Sequence, residues 1–403
     1  MYGAGNIGRG FIGQLFADSG YEVTFIDVAE PVIEALNRDG RYPIRFLSND
    51  GCRDIWVSGV RAINGSDKEK ASEAIAGADI MATAVGVRIL PHIAPLIAEG
   101  IKKRFARTKD PLNIIICENL IEADKLLEKL IKENLNREEQ RLFDERIGLA
   151  EASIGRMVPI QTAEMQGGNL LRICCEEYGF LPVDGNAFRG VVPVIKGMTA
   201  FDNFHFFIEQ KLFIHNMGHG ICAYLGMYLG DKYIYETVNR NDILFIAKNA
   251  MTESARALSK KHKMPIAGIQ DHIRDLLSRF GNRALGDTCA RVGADTERKI
   301  APNDRFIGAV RLCEEEGQMP VFISIGAAAA LYRFIEEKNY PQSRKSAEKI
   351  LTEFCALPDS SPGRKNILLM YSILSGQEAS VSVLERLIQA ALSSANLSTA
   401  LKI

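Results

Sequence analysis

The sequence predicts an α/β protein in which a doubly wound parallel sheet is followed by a mainly α-helical domain. Three observations support this prediction. The first half alternates short apolar runs with amphipathic stretches, a glycine-rich turn stands near the start, and helical periodicity dominates after about residue 199. At 403 residues and 47% hydrophobic content, the chain exceeds what one hydrophobic core usually serves, so two domains are expected.

The strands of the first domain are predicted from four runs that are short and continuously apolar, as strands covered on both faces should be. Amphipathic segments such as 29–39 and 122–145 separate them. Strands that alternate with helices indicate a parallel sheet with helices on both faces. The runs are YEVTFIDV (21–28), ADIMATAVG (78–86), LNIIICENL (112–120) and RIGLAEASI (146–154).

The second domain is predicted from a change of pattern. A stretch rich in proline and glycine, RGVVPVIKGM (189–198), indicates an exit from the sheet. Apolar residues then recur at helical spacing, for example through 202–230 and 323–338. We therefore predict a first domain at 1–195 and a helical second domain at 196–403.

Composition restricts the class of partner. Forty-nine basic and fifty acidic residues give no global field that would attract nucleic acid or an anionic membrane. The eight cysteines include no CxxC pair, and no run reaches membrane-spanning length. We expect a soluble, cytoplasmic protein, a monomer or small homo-oligomer, that binds neither nucleic acid nor membrane.

A glycine-rich loop begins at the third residue, where Gly3, Gly5 and Gly8 form G-x-G-x-x-G. The first glycine permits a tight turn, the second lets backbone approach a pyrophosphate, and the third lets a helix pack on a strand. Asp27 ends the next strand, where a carboxylate can accept hydrogen bonds from a ribose and repel a 2′-phosphate. The pattern predicts a Rossmann-like domain that binds NAD, although methyltransferases and plain turns share the glycines.

The turn TAVG (83–86) supports the same crevice, because small residues at the carboxyl end of a strand let a dinucleotide lie across the sheet edge. An ordinary strand-to-helix turn has the same composition. The predicted cofactor-binding residues are Gly3, Ala4, Gly5, Asn6, Ile7, Gly8, Arg9, Gly10, Asp27, Ala84, Val85 and Gly86.

Only Met1 and Tyr2 precede the glycine loop, whereas such loops normally follow a buried strand. Loss of the middle strand of a parallel sheet would leave its neighbours with unpaired backbone groups. We therefore expect the natural start to lie further upstream, with a strand cut to a stub as the alternative.

A polar cluster interrupts an otherwise apolar helical segment. At about 100° per residue, Lys211, His215 and His219 lie along one side, with Asn216 at its margin. A buried lysine has a lowered pKa and can take a proton from an alcohol. Asn216 and His219 can hydrogen-bond the reacting oxygen, and Asn119 would approach from the carboxyl edge of the sheet.

Structural roles for these residues remain equally open, because a lysine on a helix is usually solvated and a core histidine usually bonds a carbonyl. A straight helix also separates residues 211 and 219 by roughly 12 Å. Convergence then requires a bend, for which Gly218 is the candidate, or a lysine that reaches out. Two histidines four residues apart can share zinc, but HNMGH lacks the glutamate of H-E-x-x-H, so we predict no metal.

Four segments together resemble the polyol-specific long-chain dehydrogenases, and within them the enzymes that act on mannitol 1-phosphate. The resemblance runs over nearly the whole chain. It implies a metal-independent enzyme in which Lys211 is the general base and Asn119, Asn216 and His219 polarise the oxygen, and it implies NAD-dependent interconversion of mannitol 1-phosphate and fructose 6-phosphate. The segments are GAGNIGRGFIG, TAVG, PLNIIICENL and KLFIHNMGHGICAYLG, the last with K-x-x-x-x-N-x-x-H intact.

The resemblance also implies substrate contacts at Asp184, Arg291 and Lys299. Because a sugar phosphate needs local positive charge, we predict that some of Arg291, Arg298, Lys299 and Arg305 clamp it. A solvated loop paired with nearby carboxylates explains the same pattern.

Other functions stay open. Within the family, these are dehydrogenases of unphosphorylated hexitols and reductases of hexuronates. A non-catalytic NAD-binding sensor keeps the glycine loop but has no use for a buried lysine, and a methyltransferase is disfavoured by Asp27 together with the lysine cluster.

Overall fold

The computed structural model describes residues 1–376 and 379–400, with the side chains of 396–400 left out of the description. The chain forms two compact units, Met1–Phe207 and a second that begins at Ile208. The first contains a parallel sheet with helices, and the second is helical in its described residues. The predicted fold class is confirmed, while the domain boundary at 195/196 stays a prediction.

The first unit contains ten strands and seven complete α-helices in its described residues. The strands are β1 (Val23–Asp27), β2 (Arg41–Ser48), β3 (Gly51–Ser58), β4 (Val60–Asn64), β5 (Met81–Thr83), β6 (Leu112–Ile116), β7 (Ile147–Glu151), β8 (Ile173–Cys175), β9 (Leu181–Asp184) and β10 (Met198–Phe201). The helices are α1 (Gly13–Asp18), α2 (Glu30–Asp39), α3 (Lys68–Ala76), α4 (Leu90–Arg107), α5 (Ala123–Lys132), α6 (Arg137–Arg146) and α7 (Ala163–Gln166).

The central sheet reverses its strand order at Met1 and Tyr2. Tyr2 bridges Ile26 of β1 and Thr83 of β5, both in parallel. With β1 paired to β4, β5 to β6, and β6 to β7, the order is β4-β1-stub-β5-β6-β7. In chain order this is 3-2-1-4-5-6, the arrangement whose switch point binds dinucleotides at the carboxyl ends of the strands.

Both faces of this sheet are buried, as the apolar runs predicted. One core includes Phe11, Phe25 and Tyr42, and the other includes Ile97 and Ile101. All five residues of β6 are buried, which is why its sequence shows no polar alternation.

An antiparallel hairpin, β2 with β3, was missed by the sequence prediction. β3 is exposed at most of its positions, so it lacks the apolar signal of the other strands. β2 also pairs in parallel with β8, which extends the hairpin into a second, three-stranded sheet.

The second unit is built from helices joined by short loops. After α8 (His205–Gln210), which spans the division, come a π-helical turn at Lys211–Asn216 and α9 (Met217–Leu229). The remaining helices are α10 (Ile234–Val238), α11 (Asn241–His262), α12 (Ile266–Phe280), α13 (Cys289–Gly293), α14 (Thr296–Lys299), α15 (Ile307–Glu315), α16 (Val321–Glu337), α17 (Arg344–Glu353), α18 (Pro362–Ser375) and α19 (Val381–Ala400). Within the described residues, none of the helices combines the length and apolarity needed to cross a membrane.

The first turn of α16, the most buried helix of this unit, donates backbone hydrogen bonds to a carboxylate that is distant in the sequence. Glu253 of α11 accepts hydrogen bonds from the backbone N–H groups of Val321, Phe322 and Ile323, the first turn of α16. These are donors that a helix cannot satisfy internally, and the positive end of the helix dipole favours a carboxylate there.

Lengthening the stub is expected to stabilise the first unit. The Met1 amine is buried, donates to the Thr24 carbonyl at 2.8 Å, and burial lowers its pKa from 8.0 to about 5. A short run of apolar residues placed before Met1 replaces this amine with an amide and extends both strand ladders. The thermal midpoint and the NAD affinity should both rise, measured by calorimetry and titration.

The stability gained by the extension should depend on pH, and the direction follows from the pKa of the Met1 amine. Between pH 5 and 8 the unfolded chain binds a proton at its amine that the folded chain does not, so the stability of the unextended chain rises with pH. The extension should therefore help most near pH 5. A glycine and serine run of equal length is the control, and equal midpoints and affinities for the apolar extension and the unextended chain would contradict the expectation.

Candidate active site

A cavity of about 1030 Å³ lies in the first unit at the switch point of the sheet. Five of the predicted cofactor residues line it: Gly3, Gly5, Asp27, Ala84 and Val85. The volume suits a large ligand, and the position is the one at which doubly wound sheets bind dinucleotides. The other seven predicted cofactor residues, Ala4, Asn6, Ile7, Gly8, Arg9, Gly10 and Gly86, are not among the lining residues.

The glycine loop is closely packed at two of its three glycines. A Cβ on Gly3 would lie 2.5 Å from the carbonyl oxygen of Ala84, and its φ of +97° favours glycine. A Cβ on Gly8 would lie 2.0 Å from the carbonyl oxygen of Gly3. Gly5 has nothing within 4 Å of such a Cβ, so its side faces open space in the crevice.

The carboxylate of Asp27 ties the glycine loop to the end of β1. One oxygen accepts the Ala4 N–H at 2.6 Å, and the other accepts the N–H groups of Val28 and Ala29 at 2.7 and 3.0 Å. The loop and the predicted ribose-binding residue are thus held together before any ligand arrives.

Arg9 differs from the other residues of the loop. Its guanidinium is buried and donates to the backbone carbonyls of Ala4 at 2.6 Å and Leu171 at 2.5 Å. The side chain therefore braces the protein, and cofactor binding by Arg9 stays a prediction.

Glu118 is a buried residue of the crevice that the sequence reasoning missed. Its carboxylate accepts the N–H groups of Val85 at 3.0 Å and Gly86 at 2.8 Å. Its neighbour Asn119, a predicted catalytic residue, is exposed in the turn after β6. The only sequence feature that could have indicated Glu118 is its position just after a buried strand.

Asp184, a predicted substrate residue, ends β9 in the first unit and lies in an acidic environment. Its carboxylate accepts the Asn186 N–H at 3.0 Å, and burial raises its pKa, with Asp124 and Asp202 adding to the shift. Glu151, at the end of β7, was not predicted. Burial raises its pKa to about 7, and Asp124 and Asp184 contribute.

In the second unit, a π-helical turn carries the lysine motif. Lys211 and Asn216 are the first and last residues of this turn, and His219 follows in α9. Five residues span about 140° of rotation in an α-helix, whereas π-helical hydrogen bonds join residues five apart. The π turn therefore stacks Lys211 and Asn216 on one side of the helix, with His219 three residues further on. Lys211 is half-buried there.

The bend proposed at Gly218 is corrected by the structure, because α9 runs through this residue. A Cβ on Gly218 would lie 2.6 Å from the sulfur of Met251 in α11. Gly218 therefore allows two helices to pack closely, and the change of helical pitch lies before it, at 211–216.

His219 faces a carboxylate that was not predicted, Asp287. Its Nε2 atom lies 3.5 Å from Oδ2 of Asp287, and the ring stacks on Phe280 at a centroid distance of 4.6 Å. Burial lowers the pKa of His219 to about 4, so the imidazole is neutral at pH 7 and is not an ionic partner of Asp287. Asp287 also holds Arg291 through two hydrogen bonds of 2.5 Å.

His215 lies within the π-helical turn, between Lys211 and Asn216. It is buried, and burial lowers its pKa well below the ordinary value, with nearby cations adding to the effect. Over residues 1–376 and 379–400, no group of three or more histidine, cysteine, aspartate or glutamate side chains is arranged to hold a metal ion.

The cationic loop, residues 291–305, includes the end of α13 and the whole of α14, and two of its four predicted phosphate residues are buried. Lys299 and Arg305 are buried, whereas Arg291 and Arg298 are exposed. Arg298 and Arg305 both contact Asp304, at 3.2 and 2.9 Å. Burial, followed by repulsion from Arg305 and Arg298, lowers the pKa of Lys299 to about 8.

Two family descriptions match consecutive parts of the chain. Residues 1–197 match the mannitol dehydrogenase Rossmann domain, and residues 203–353 match the mannitol dehydrogenase C-terminal domain. The chain belongs to the mannitol dehydrogenase family. The resemblance drawn from the glycine loop and the lysine motif is therefore confirmed.

Relatives in this family match along most of their length. A mannitol-1-phosphate 5-dehydrogenase of Brevibacillus brevis is 37% identical over 86% of this chain and 87% of its own. A mannitol-1-phosphate 5-dehydrogenase of Thermoanaerobacter pseudethanolicus is 33% identical over 93% of this chain and 97% of its own.

Solved structures share the fold at low sequence identity. Pseudomonas fluorescens mannitol 2-dehydrogenase, in a ternary complex with NAD and D-mannitol, aligns with a TM-score of 0.74 at 14% identity, over 96% of this chain and 93% of that one. A substrate-free D-sorbitol dehydrogenase aligns with a TM-score of 0.76 at 14% identity, over 97% of this chain and 93% of that one.

Two glycine variants should separate ligand approach from packing. Gly5→Ala adds a Cβ into open space, so the thermal midpoint should stay near that of the parent while NAD binds at least about tenfold more weakly, because the backbone can no longer approach the pyrophosphate. Gly8→Ala should lower the midpoint itself, because its Cβ meets the Gly3 carbonyl. Thermal melts and fluorescence titration with NADH measure both. Unchanged NADH affinity in Gly5→Ala would contradict a pyrophosphate at this loop.

Proposed function

We propose that this protein catalyses the NAD-dependent interconversion of D-mannitol 1-phosphate and D-fructose 6-phosphate. The observation that carries the proposal is that curated relatives covering most of both chains are named mannitol-1-phosphate 5-dehydrogenase. The intact lysine motif and a partly buried cationic loop in the second unit support the same reaction.

The first unit supplies the cofactor site. When bound, NAD would supply the hydride acceptor for the carbinol carbon, and NADH would supply the hydride donor in the reverse direction. Gly5 offers open backbone for a pyrophosphate, and the Asp27 carboxylate disfavours a 2′-phosphate, which selects NAD over NADP. Ala84 and Val85 form the opposing wall of the crevice.

The second unit supplies the proton chemistry. Lys211 takes the hydroxyl proton from the alcohol and returns it in the reverse direction. Asn216 and neutral His219 hydrogen-bond the oxygen as it changes between alcohol and carbonyl, and Asn119 of the first unit is a further proposed donor. Asp287 orients His219, since it lies against one ring nitrogen.

A phosphate group fits the electrostatics of the cationic loop. Lys299 is buried beside Arg298 and Arg305, and the resulting fall of its pKa to about 8 is a cost that a bound dianion would relieve. Arg305, Arg298 and Lys299 are therefore proposed phosphate ligands, and Arg291, which Asp287 holds, is a further candidate. Asp184 is proposed to accept hydrogen bonds from polyol hydroxyl groups.

Cytoplasmic location and a monomeric or small homo-oligomeric state stay predictions. The phosphorylated substrate supports the cytoplasmic location, because sugar phosphates are retained inside cells by their charge.

Substrate preference is the direct test of the proposal. Oxidation of NADH should be rapid with fructose 6-phosphate and much slower with fructose or tagaturonate. Because Lys299 loses its proton near pH 8, the KM for fructose 6-phosphate should rise between pH 7 and pH 9, and the KM for fructose should not. A preference for fructose or tagaturonate would overturn the substrate assignment, and NADH binding without turnover of any of the three would favour the non-catalytic sensor.

Removing the Lys211 amine should abolish turnover and leave cofactor binding intact. Lys211→Met should lower kcat by about 10² to 10⁴, the range that a positioned acid or base contributes, with the NADH dissociation constant unchanged. Lys248→Met, at an exposed lysine of α11, is the matched control and should retain full kcat. Turnover near the parent rate in Lys211→Met would remove this lysine from the mechanism.

A further inference from the structure

The carboxylate of Glu118 connects two neighbouring strands beyond the point where their pairing ends. Register between β5 and β6 ends at Thr83 and Ile116, and the Cys117 N–H still reaches the Thr83 carbonyl at 3.0 Å. The Glu118 side chain then continues the ladder, since its two oxygens accept the N–H groups of Val85 and Gly86 at 3.0 and 2.8 Å. The residue is only 7% exposed.

The two donors belong to the loop that forms one wall of the candidate cofactor crevice. Ala84 and Val85 line the cavity, and the Ala84 carbonyl lies where a Cβ on Gly3 would come within 2.5 Å. Gly86 has a φ of +89°, a conformation that favours glycine. The separation between the two walls therefore depends on where this loop is held.

We propose that Glu118 is a positioning residue, whose carboxylate holds the Val85–Gly86 loop at the spacing from the glycine loop that a dinucleotide requires. The proposal rests on the proposed function only in taking this crevice as the cofactor site. Charged acceptors form the stronger hydrogen bonds, and a buried N–H that loses its acceptor is costly, so one carboxylate suffices to fix both backbone groups.

The same turn carries Asn119, the predicted donor to the reacting oxygen. Because Glu118 and Asn119 are consecutive, a carboxylate anchored to the β5 loop also fixes the backbone from which Asn119 projects. Loss of the anchor should therefore weaken cofactor binding first and reduce kcat to a smaller extent.

Replacement by glutamine tests the anchor with little change of size. The amide of Glu118→Gln has one oxygen and one NH₂ group, so one backbone N–H faces another donor. We expect NADH to bind about 10- to 100-fold more weakly, with a rise in the KM for NADH that exceeds the fall in kcat. Glu118→Asp keeps the charge but is shorter by one methylene, and its affinity should lie between glutamine and the parent.

Hydrogen–deuterium exchange gives a readout in the absence of ligand and substrate. Amides of residues 84–86 should exchange faster in Glu118→Gln than in the parent. Glu253→Gln is the matched control, because Glu253 is also a carboxylate that accepts backbone N–H groups, those of Val321, Phe322 and Ile323. It should lower the thermal midpoint and leave both the NADH affinity and the exchange at 84–86 unchanged.

Several results would overturn the positioning role. These are an NADH affinity in Glu118→Gln within twofold of the parent, unchanged exchange at 84–86, an equal loss of affinity in Glu253→Gln, or a parent protein that does not bind NADH. A parent that binds NADH but does not reduce fructose 6-phosphate would refute the proposed function alone, and the comparison of variants would still decide the role of Glu118.

Discussion

The two halves of the parallel sheet meet on Met1 and Tyr2. Five main-chain hydrogen bonds hold these two residues: the Met1 amine to the Thr24 carbonyl, Tyr2 N–H to the Ala82 carbonyl, Ala84 N–H to the Tyr2 carbonyl, Ile26 N–H to the Met1 carbonyl, and Gly3 N–H to the Ile26 carbonyl. These bonds bring the ends of β1 and β5 to either side of the glycine loop. The crevice, the approach of Gly3 to Ala84 and the position of Asp27 all follow from this pairing, because each lies at the carboxyl end of a strand that the stub aligns.

In the second unit, the corresponding constraint is the hydrogen-bond register of one helical turn. A lysine and an asparagine five residues apart lie about 140° apart around an α-helix, and a wider helical turn brings them to one side. The turn at Lys211–Asn216 does this, and α9 then returns to ordinary pitch, which keeps Asn216 and His219 three residues apart on one side. The apolar residues of the motif belong to the core. Phe213 and Ile214 are buried, so packing of these side chains stabilises the widened turn.

The sequence could predict those features that depend on local pattern. Buried strands have apolar runs, Gly3 and Gly8 stand where no side chain fits, and Asp27 follows at the distance set by one helix and one strand. The π turn could not be predicted, because no residue type in the segment distinguishes a π-helical hydrogen-bond register from an α-helical one. Glu118 and Asp287 could not be predicted either, since a carboxylate acquires its role from distant partners, backbone N–H groups in one case and a histidine with an arginine in the other. Strand β3 escaped detection because its exposed residues lack an apolar signal.

Among the four cations at 291–305, Lys299 differs from the three arginines in its protonation near neutral pH. Arg291 is held by Asp287, and Arg298 and Arg305 are held by Asp304, which offsets the charge of each guanidinium. Lys299 lies buried among them, and burial, followed by repulsion from Arg305 and Arg298, lowers its pKa to about 8, whereas the guanidinium groups stay protonated. The cluster thus adjusts to solvent pH through a single residue. At the proposed phosphate site, the anion would lie near three guanidinium cations and one amine that takes up a proton from solvent, so binding of the anion and protonation of Lys299 would be thermodynamically linked.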